Sequence, residues 1–361
     1  MGLKGNLNML DTKINDTLSS WHEQNEKKRC PLCLGLNTKK KGHYTATQRT
    51  RRGCVMRRLQ RFYCLDCRHS FNDQGYSVRK SISEDVKQHA VHDYALTKNS
   101  LSEVALRYKV SRSSIITWMN HLAQRIPDDQ ILPEITQPGG TIMIDGKELK
   151  IGKERYSLLV AFDDKCGLPV HYRLYKDENS ESTRHFLAEV KKKYPVPVLG
   201  VISDFGKGKC FMKVVGNIFP NVPHQVCLVH FWRYVTFFIP KSKSSIYADQ
   251  NTILKQWIWN VIHASDKDDS MYWLNRIKQE QETFQARYHK WFIKSVIYNY
   301  EHLTQHYSYP FLKKNNNPLE NLNKQLNRKL KNLDSFKSIN SAKSFLKLWF
   351  LNYFITKTDP I

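Results

Sequence analysis

Two stretches decide the fold: Thr141-Ile142-Met143-Ile144-Asp145 and Val198-Leu199-Gly200-Val201-Ile202-Ser203-Asp204. Each is a short apolar run of β-prone residues closed by an acid, which reads as a buried strand with a carboxylate at its end. Between them lie two more strand-like runs, at about 155–162 and 168–175, with the turn residues Asp163, Asp164, Lys165 and Gly167 between them. A helix from Ser180 to Lys193, capped by Asn179 or Ser180, follows. A further helix at about 207–218 and a strand at about 223–227 complete the run. A meander that gives way to alternating helices and strands predicts an α/β domain: a mixed sheet with helices packed on it. In such sheets ligands bind just beyond strand ends, so Asp145 and Asp204 are expected to converge.

Upstream the text is of another kind. Residues 1–28 are polar and weakly patterned, an N-terminal tail. From 29 to 75 the pairs Cys30-Pro31-Leu32-Cys33 and Cys64-Leu65-Asp66-Cys67 read as a zinc ribbon, since two C-x-x-C turns supply the four thiolates that structural Zn²⁺ prefers. Clustered thiols in a chain without a signal peptide fit a metal better than disulfides. The long gap between the pairs leaves room for a basic hairpin carrying Arg49, Arg51, Arg52, Arg57, Arg58 and Arg61, suited to a phosphate backbone. Cys54 and His43 are left as non-ligands.

Residues 80–127 carry three helical periods, with Ser100-Leu101-Ser102-Glu103 as a cap and Lys109-Val110-Ser111 as a tight turn. This predicts a helix-turn-helix domain whose third helix presents Arg112, Ser113 and Ser114 to DNA. Pro127, Pro133, Pro138, Gly139 and Gly140 mark a linker before a catalytic domain over 138–361. The charge of the whole chain, +24, calls for a polyanionic partner. No run approaches the roughly 18 apolar residues of a membrane span, and the reading is a cytoplasmic, nucleoid-associated protein.

Within the catalytic domain, residues 235–312, rich in Trp, Tyr, Lys and Gln at helical spacing, predict a helical insertion. Then comes Asn315-Asn316-Asn317-Pro318-Leu319-Glu320-Asn321-Leu322-Asn323, where an asparagine cap and a proline in the first turn start a helix. Three residues apart, Asn317, Glu320 and Asn323 are expected to share a face, and the basic run from Arg328 to Lys331 to lie along DNA. Two carboxylates held together repel unless a cation lies between them, which points to Mg²⁺ or Mn²⁺ with Glu320 as third ligand. Taken alone, Cys227 and His230 read as a core thiol and a satisfied histidine rather than a second zinc site.

The set Ile144-Asp145-Gly146, Ser203-Asp204-Phe205-Gly206, Cys227-Leu228-Val229-His230 and Asn317-Pro318-Leu319-Glu320-Asn321-Leu322-Asn323 resembles the Mutator-like superfamily of transposases, which includes many insertion-sequence enzymes. The resemblance covers about 140–335. It implies a ribonuclease H-like fold, a helical insertion between the second Asp and the Glu, and two Mg²⁺ ions on Asp145, Asp204 and Glu320. It also gives Cys227 and His230 a supporting part near the active site. Cleavage and strand transfer at terminal inverted repeats and target DNA would follow, with a homodimer or larger assembly holding two ends. The rival expectations are a DNA-binding regulator derived from a transposase and a structure-selective nuclease.

Overall fold

The computed structural model describes residues 28–50, 53–72, 82–126, 137–205, 210–239, 246–331, 333 and 336–358. The tail expected at 1–28 and the arginines Arg51 and Arg52 lie, but for residue 28, outside the described residues, as do Pro127 and Pro133. The chain divides into two compact units, one of Met1–Ile131 with Lys329–Ile361, the other of Leu132–Arg328.

In the first unit, β1 (Thr38–Thr50), β2 (Gly53–Cys64) and β3 (Ser70–Asn72) form an antiparallel sheet in that order. The long β1–β2 hairpin fills the gap between the cysteine pairs and presents exposed Arg57 and Arg58. Three helices follow: α1 (Glu84–Leu96), α2 (Leu101–Arg107) and α3 (Arg112–Arg125). The capping box expected at Ser100 and Glu103 is present, its two hydrogen bonds satisfying first-turn amides that have no helical partner. Ser111 caps α3 by accepting from the Ser114 N–H at 3.1 Å, and Lys109, at φ 49°, makes the sharp turn before it.

In the second unit, β4 (Thr141–Ile151), β5 (Glu154–Asp163) and β6 (Leu168–Tyr175) are an antiparallel meander. Helix α4 (Ser180–Lys193) leads to β7 (Gly200–Ser203), and α5 (Cys210–Ile218) leads to β8 (His224–Val226). The sheet order is β6-β5-β4-β7-β8, with β7 and β8 added parallel to β4. On one face, Ile142, Ile144, Leu159 and Ala161 pack beneath Phe186 and Leu187 of α4 and Val214 and Val215 of α5. Each of the larger of these side chains, fully removed from water, contributes about 1.5–3 kcal/mol before entropy is counted.

One expectation shifts here. Strand β4 does not end at Asp145 but runs on to Ile151, because residues 146–151 keep pairing with β5 as far as the turn at Gly152. Its parallel neighbour β7 is the strand that stops at the acid.

The helical insertion consists of α6 (Leu228–Phe238), α7 (Ala248–His263), α8 (Lys267–Gln279) and α9 (Arg287–Ser308). These helices enclose their own core, including Phe231, Val235, Ile258, Ile262, Leu274, Phe292, Val296 and Leu303. The insertion starts earlier than the expected residue 235, since the buried spacing Leu228, Phe231, Val235 begins directly after β8.

Helices α10 (Asn317–Leu330) and α11 (Ile339–Thr358) end the described chain. Helix α11 packs along α3 and α1, so the stretch from Lys329 belongs with the N-terminal helices rather than with the catalytic domain drawn as 138–361. The physical reason is the apolar surface of α11: Phe345, Leu346, Trp349, Phe350 and Phe354 are all buried. Lys329 also departs from expectation. It is 7% exposed, donates to the carbonyls of Thr97 and Asn99, and lies over the Tyr94 ring, whereas Arg328 is exposed.

Candidate active site

The parallel strands set three residues side by side. Ile144 pairs with Ser203 and Ser203 with Val226, so the next residues, Asp145, Asp204 and Cys227, stand in a row across β4, β7 and β8. The Cys227 N–H donates to the Ser203 carbonyl at 2.8 Å and prolongs the ladder by one step. Gly146, next to Asp145, lies against the Glu178 carboxylate, which would have to shift to admit a Cβ there. That brings Glu178 to the edge of the site. Asp163 keeps its expected turn role, accepting from the N–H groups of Gly139, Lys165 and Cys166.

Glu320 arrives from far away in sequence, in the first turn of α10, where free amides favour a negative charge. Leu319, Leu322 and Leu326 are fully buried and anchor the helix. The adjoining stripe at i, i+4, i+7 and i+11 is Asn316, Glu320, Asn323 and Asn327. Asn323 Nδ2 donates to Asp145 Oδ2 at 2.8 Å, and Lys147 Nζ donates to Asn327 Oδ1. Asn317, expected on this face, is instead exposed, and the wholly buried Asn316 takes the inward place because helical faces recur at four then three residues.

His230 stands between the two more distant acids. Its Nδ1 lies 3.3 Å from Asp204 Oδ1 and its Nε2 lies 3.4 Å from Glu320 Oε1. Arg233, one turn further along α6, comes within 3.5 Å of Glu320, and Lys324 within 3.8 Å. Burial first, and then the charge of Asp204, lift the Asp145 carboxyl from 3.8 to about 7, with Glu320 adding to the rise and Asn323 opposing it. Burial likewise raises the Cys227 thiol.

Two buried oxygens here, Glu320 Oε1 and Asn323 Oδ1, have no hydrogen-bond partner. These two hard oxygens, beside the Asp145 and Asp204 carboxylates that repel each other, suit a divalent cation. Cys227, His230 and Glu320 also offer ligand atoms within 4.8 Å of one another. Arg233 and Asn316 had no signal in the sequence beyond lying on the faces of motif helices.

The second cluster is in the first unit. The sulfurs of Cys30, Cys33, Cys64 and Cys67 all lie within 4.8 Å of one another, with Cys30–Cys67 and Cys33–Cys64 at 3.5 Å. Tetrahedral Zn²⁺, with Zn–S near 2.3 Å, sets its sulfurs about 3.8 Å apart, so the four thiols fit a structural zinc. The two turns share a backbone plan. Cys30 N–H donates to the Gly35 carbonyl and Cys64 N–H to that of His69, while Leu34 and Arg68, each just after the second cysteine, have φ near 60°. The amide of Cys67, donating to the Cys64 sulfur, heads the interactions that hold that thiol down to about 7. Cys54 and His43 stand on the hairpin, outside this cluster. At the start of α3, Arg112 and Ser113 are exposed and Ser114 is half-buried. No helix among the described residues is long and apolar enough to cross a membrane.

A mixed α/β domain whose acids gather from the interior of one strand, the end of its parallel neighbour and a distant helix defines a protein with a candidate divalent-cation site. The Mutator family of transposases matches residues 169–353, which is just over half of the chain, and the chain belongs to that family. No curated protein sequence matches it. Among solved structures, it is similar to a chain in a cryo-electron microscopy structure of the simian T-cell lymphotropic virus intasome in complex with the PP2A regulatory subunit B56 gamma. That similarity has a TM-score of 0.23 and 14% identity, and covers 48% of this chain and 57%, little over half, of that one.

Proposed function

We propose that the protein is a transposase that binds the terminal inverted repeats of a mobile element and performs Mg²⁺-dependent strand cleavage and strand transfer. One observation carries the reading: His230 touches both Asp204 and Glu320 while Asn323, from Glu320's own helix, holds Asp145, so three acids from three elements gather in one place. The meander followed by two parallel strands supports a ribonuclease H-like assignment for the domain.

Asp145, Asp204 and Glu320 would hold Mg²⁺, which when bound would supply the charge needed to activate an attacking oxygen and stabilise a leaving one. Water and then the freed 3′-hydroxyl serve in turn as nucleophile at the same site, so no covalent protein nucleophile is needed. Asn323 fixes the rotamer of Asp145, and His230 and Arg233 draw Glu320 toward the strand ends. Exposed Arg233 is placed to meet a phosphate. In the first unit, α2 and α3 are assigned as a helix-turn-helix, with Arg112, Ser113 and Ser114 at DNA and Arg57 and Arg58 of the hairpin on the phosphate backbone. Holding two element ends calls for at least a dimer on DNA.

The test is Mg²⁺-dependent nicking and joining of duplexes carrying the element's terminal repeats, wild type against Asp204→Ala. Loss of cleavage by at least about a thousandfold with DNA binding retained is expected. Sequence-specific binding with no cleavage by the wild type would replace this reading with a regulator.

A further inference from the structure

The face of α6 that carries His230 does not end at the acids. Positions i+3, i+4 and i+7 from His230 are Arg233, Tyr234 and Phe237, while Leu228, Phe231 and Val235 point the other way into the insertion core. Phe237 is 80% exposed, unusual for so large an apolar ring. It meets Phe238 edge-on at 4.9 Å, and Phe238 lies 6.3 Å from Trp291 of α9. Tyr234 backs the group, 5.7 Å from Trp291. Phe238 and Trp291 are themselves nearly half exposed. A water-facing aromatic group thus begins where the charged part of the helix face stops.

Resting on the proposed function, we propose that Phe237, with Phe238 and Trp291, is a stacking platform for an unstacked nucleobase of the strand whose phosphate lies at Asp145, Asp204 and Glu320. The rise from His230 to Phe237 is about 10 Å. That equals about three nucleotides at stacked spacing, fewer if the strand is stretched. Arg233, 61% exposed and between the two, is the natural contact for the intervening phosphate. Aromatic rings accept any base by stacking, so the platform grips the strand without reading its sequence.

The probe is a short duplex with a single-stranded oligothymidine tail, bound by the full-length protein with Ca²⁺ in place of Mg²⁺, with one abasic residue scanned along the tail. For the wild type, one position near the duplex junction should weaken binding about tenfold when its base is removed. Phe237→Ala should bind the intact tail about tenfold more weakly, lose all sensitivity to the abasic position, and still bind blunt duplex as the wild type does. Phe237→Trp should restore the sensitivity.

Equal tail binding by wild type and Phe237→Ala, with duplex binding intact, would overturn the platform and leave the transposase reading standing. A change of oligomeric state in Phe237→Ala without loss of base sensitivity would make this patch a protein interface and overturn it as well. A wild type that binds no DNA would remove both readings.

Discussion

The cysteine cluster and the acid cluster gather their side chains in opposite ways. The four thiols come from two turns with the same local hydrogen bonds, and each turn would present its pair whatever the rest of the chain did. The acids come from a strand interior, a strand end and a helix start, from Asp145 to Glu320, and nothing local brings them together. Sheet register and the buried leucines of α10 do that work. The first site can therefore help to fold its surroundings, whereas the second must be folded before it exists.

The largest expected effect tests the first half of that contrast. The cysteine ribbon has only a small apolar core, Phe62 and Phe71 stacked at 5.5 Å, so the zinc it fits should carry most of its stability. Structural zinc contributes on the order of 10 kcal/mol in modules of this size. Chelation, or Cys64→Ser, should open β1 and β2 to proteolysis within minutes while leaving amide exchange in the β4–β8 sheet unchanged. Continued protection of the hairpin after zinc is removed would show that the ribbon holds itself together by packing.

This contrast also explains what could be read from the sequence. The C-x-x-C pairs, the capping box at Ser100 and the helix over Ser180–Lys193 were legible because each depends on residues a few positions apart. Asp204 and Glu320 were legible as ends of periodic segments. The continuation of β4 past Asp145 was not, because the alternation in Lys147-Glu148-Leu149-Lys150-Ile151 is too polar to announce a strand without its β5 partner. The inward place of Asn316 and the burial of Lys329 were hidden for a similar reason. Three successive asparagines, or a run of basic residues, carry no mark of which one faces the protein until the neighbouring element is known.

The next effect concerns the acid cluster as a site at odds with folding. Burial and the neighbouring Asp204 lift the Asp145 carboxyl to about 7, against 3.8 ordinarily. Between those values the folded state holds a proton that the unfolded chain has lost, so stability falls as pH rises from 4 to 7, and the full penalty remains above 7. Asp145→Asn removes the charge but keeps an oxygen to accept from Asn323. It should raise stability by up to about 4 kcal/mol at pH 8 in chelator and leave it nearly unchanged at pH 4, as read by thermal melts. Equal gains at both pH values would mean that the benefit comes from packing and that the acids are not in electrostatic conflict.

The smallest effect separates Asp145 as a proposed metal ligand from the residue that would aim it. Asn323 spends its amide N–H on Asp145 and is nearly buried, so Asn323→Leu removes the hydrogen bond at little change in volume. Partners of this kind tune metal affinity by about 10- to 100-fold when lost. The Mg²⁺ concentration for half-maximal cleavage should rise about tenfold, with the rate at saturating Mg²⁺ nearly restored. That pattern differs from the loss expected of Asp204→Ala, which no Mg²⁺ concentration should repair. If Asn323→Leu instead lowers the saturated rate with unchanged Mg²⁺ dependence, the amide acts on the DNA rather than on Asp145. The gathering of the acids would then rest on His230, the strand register and the buried leucines of α10.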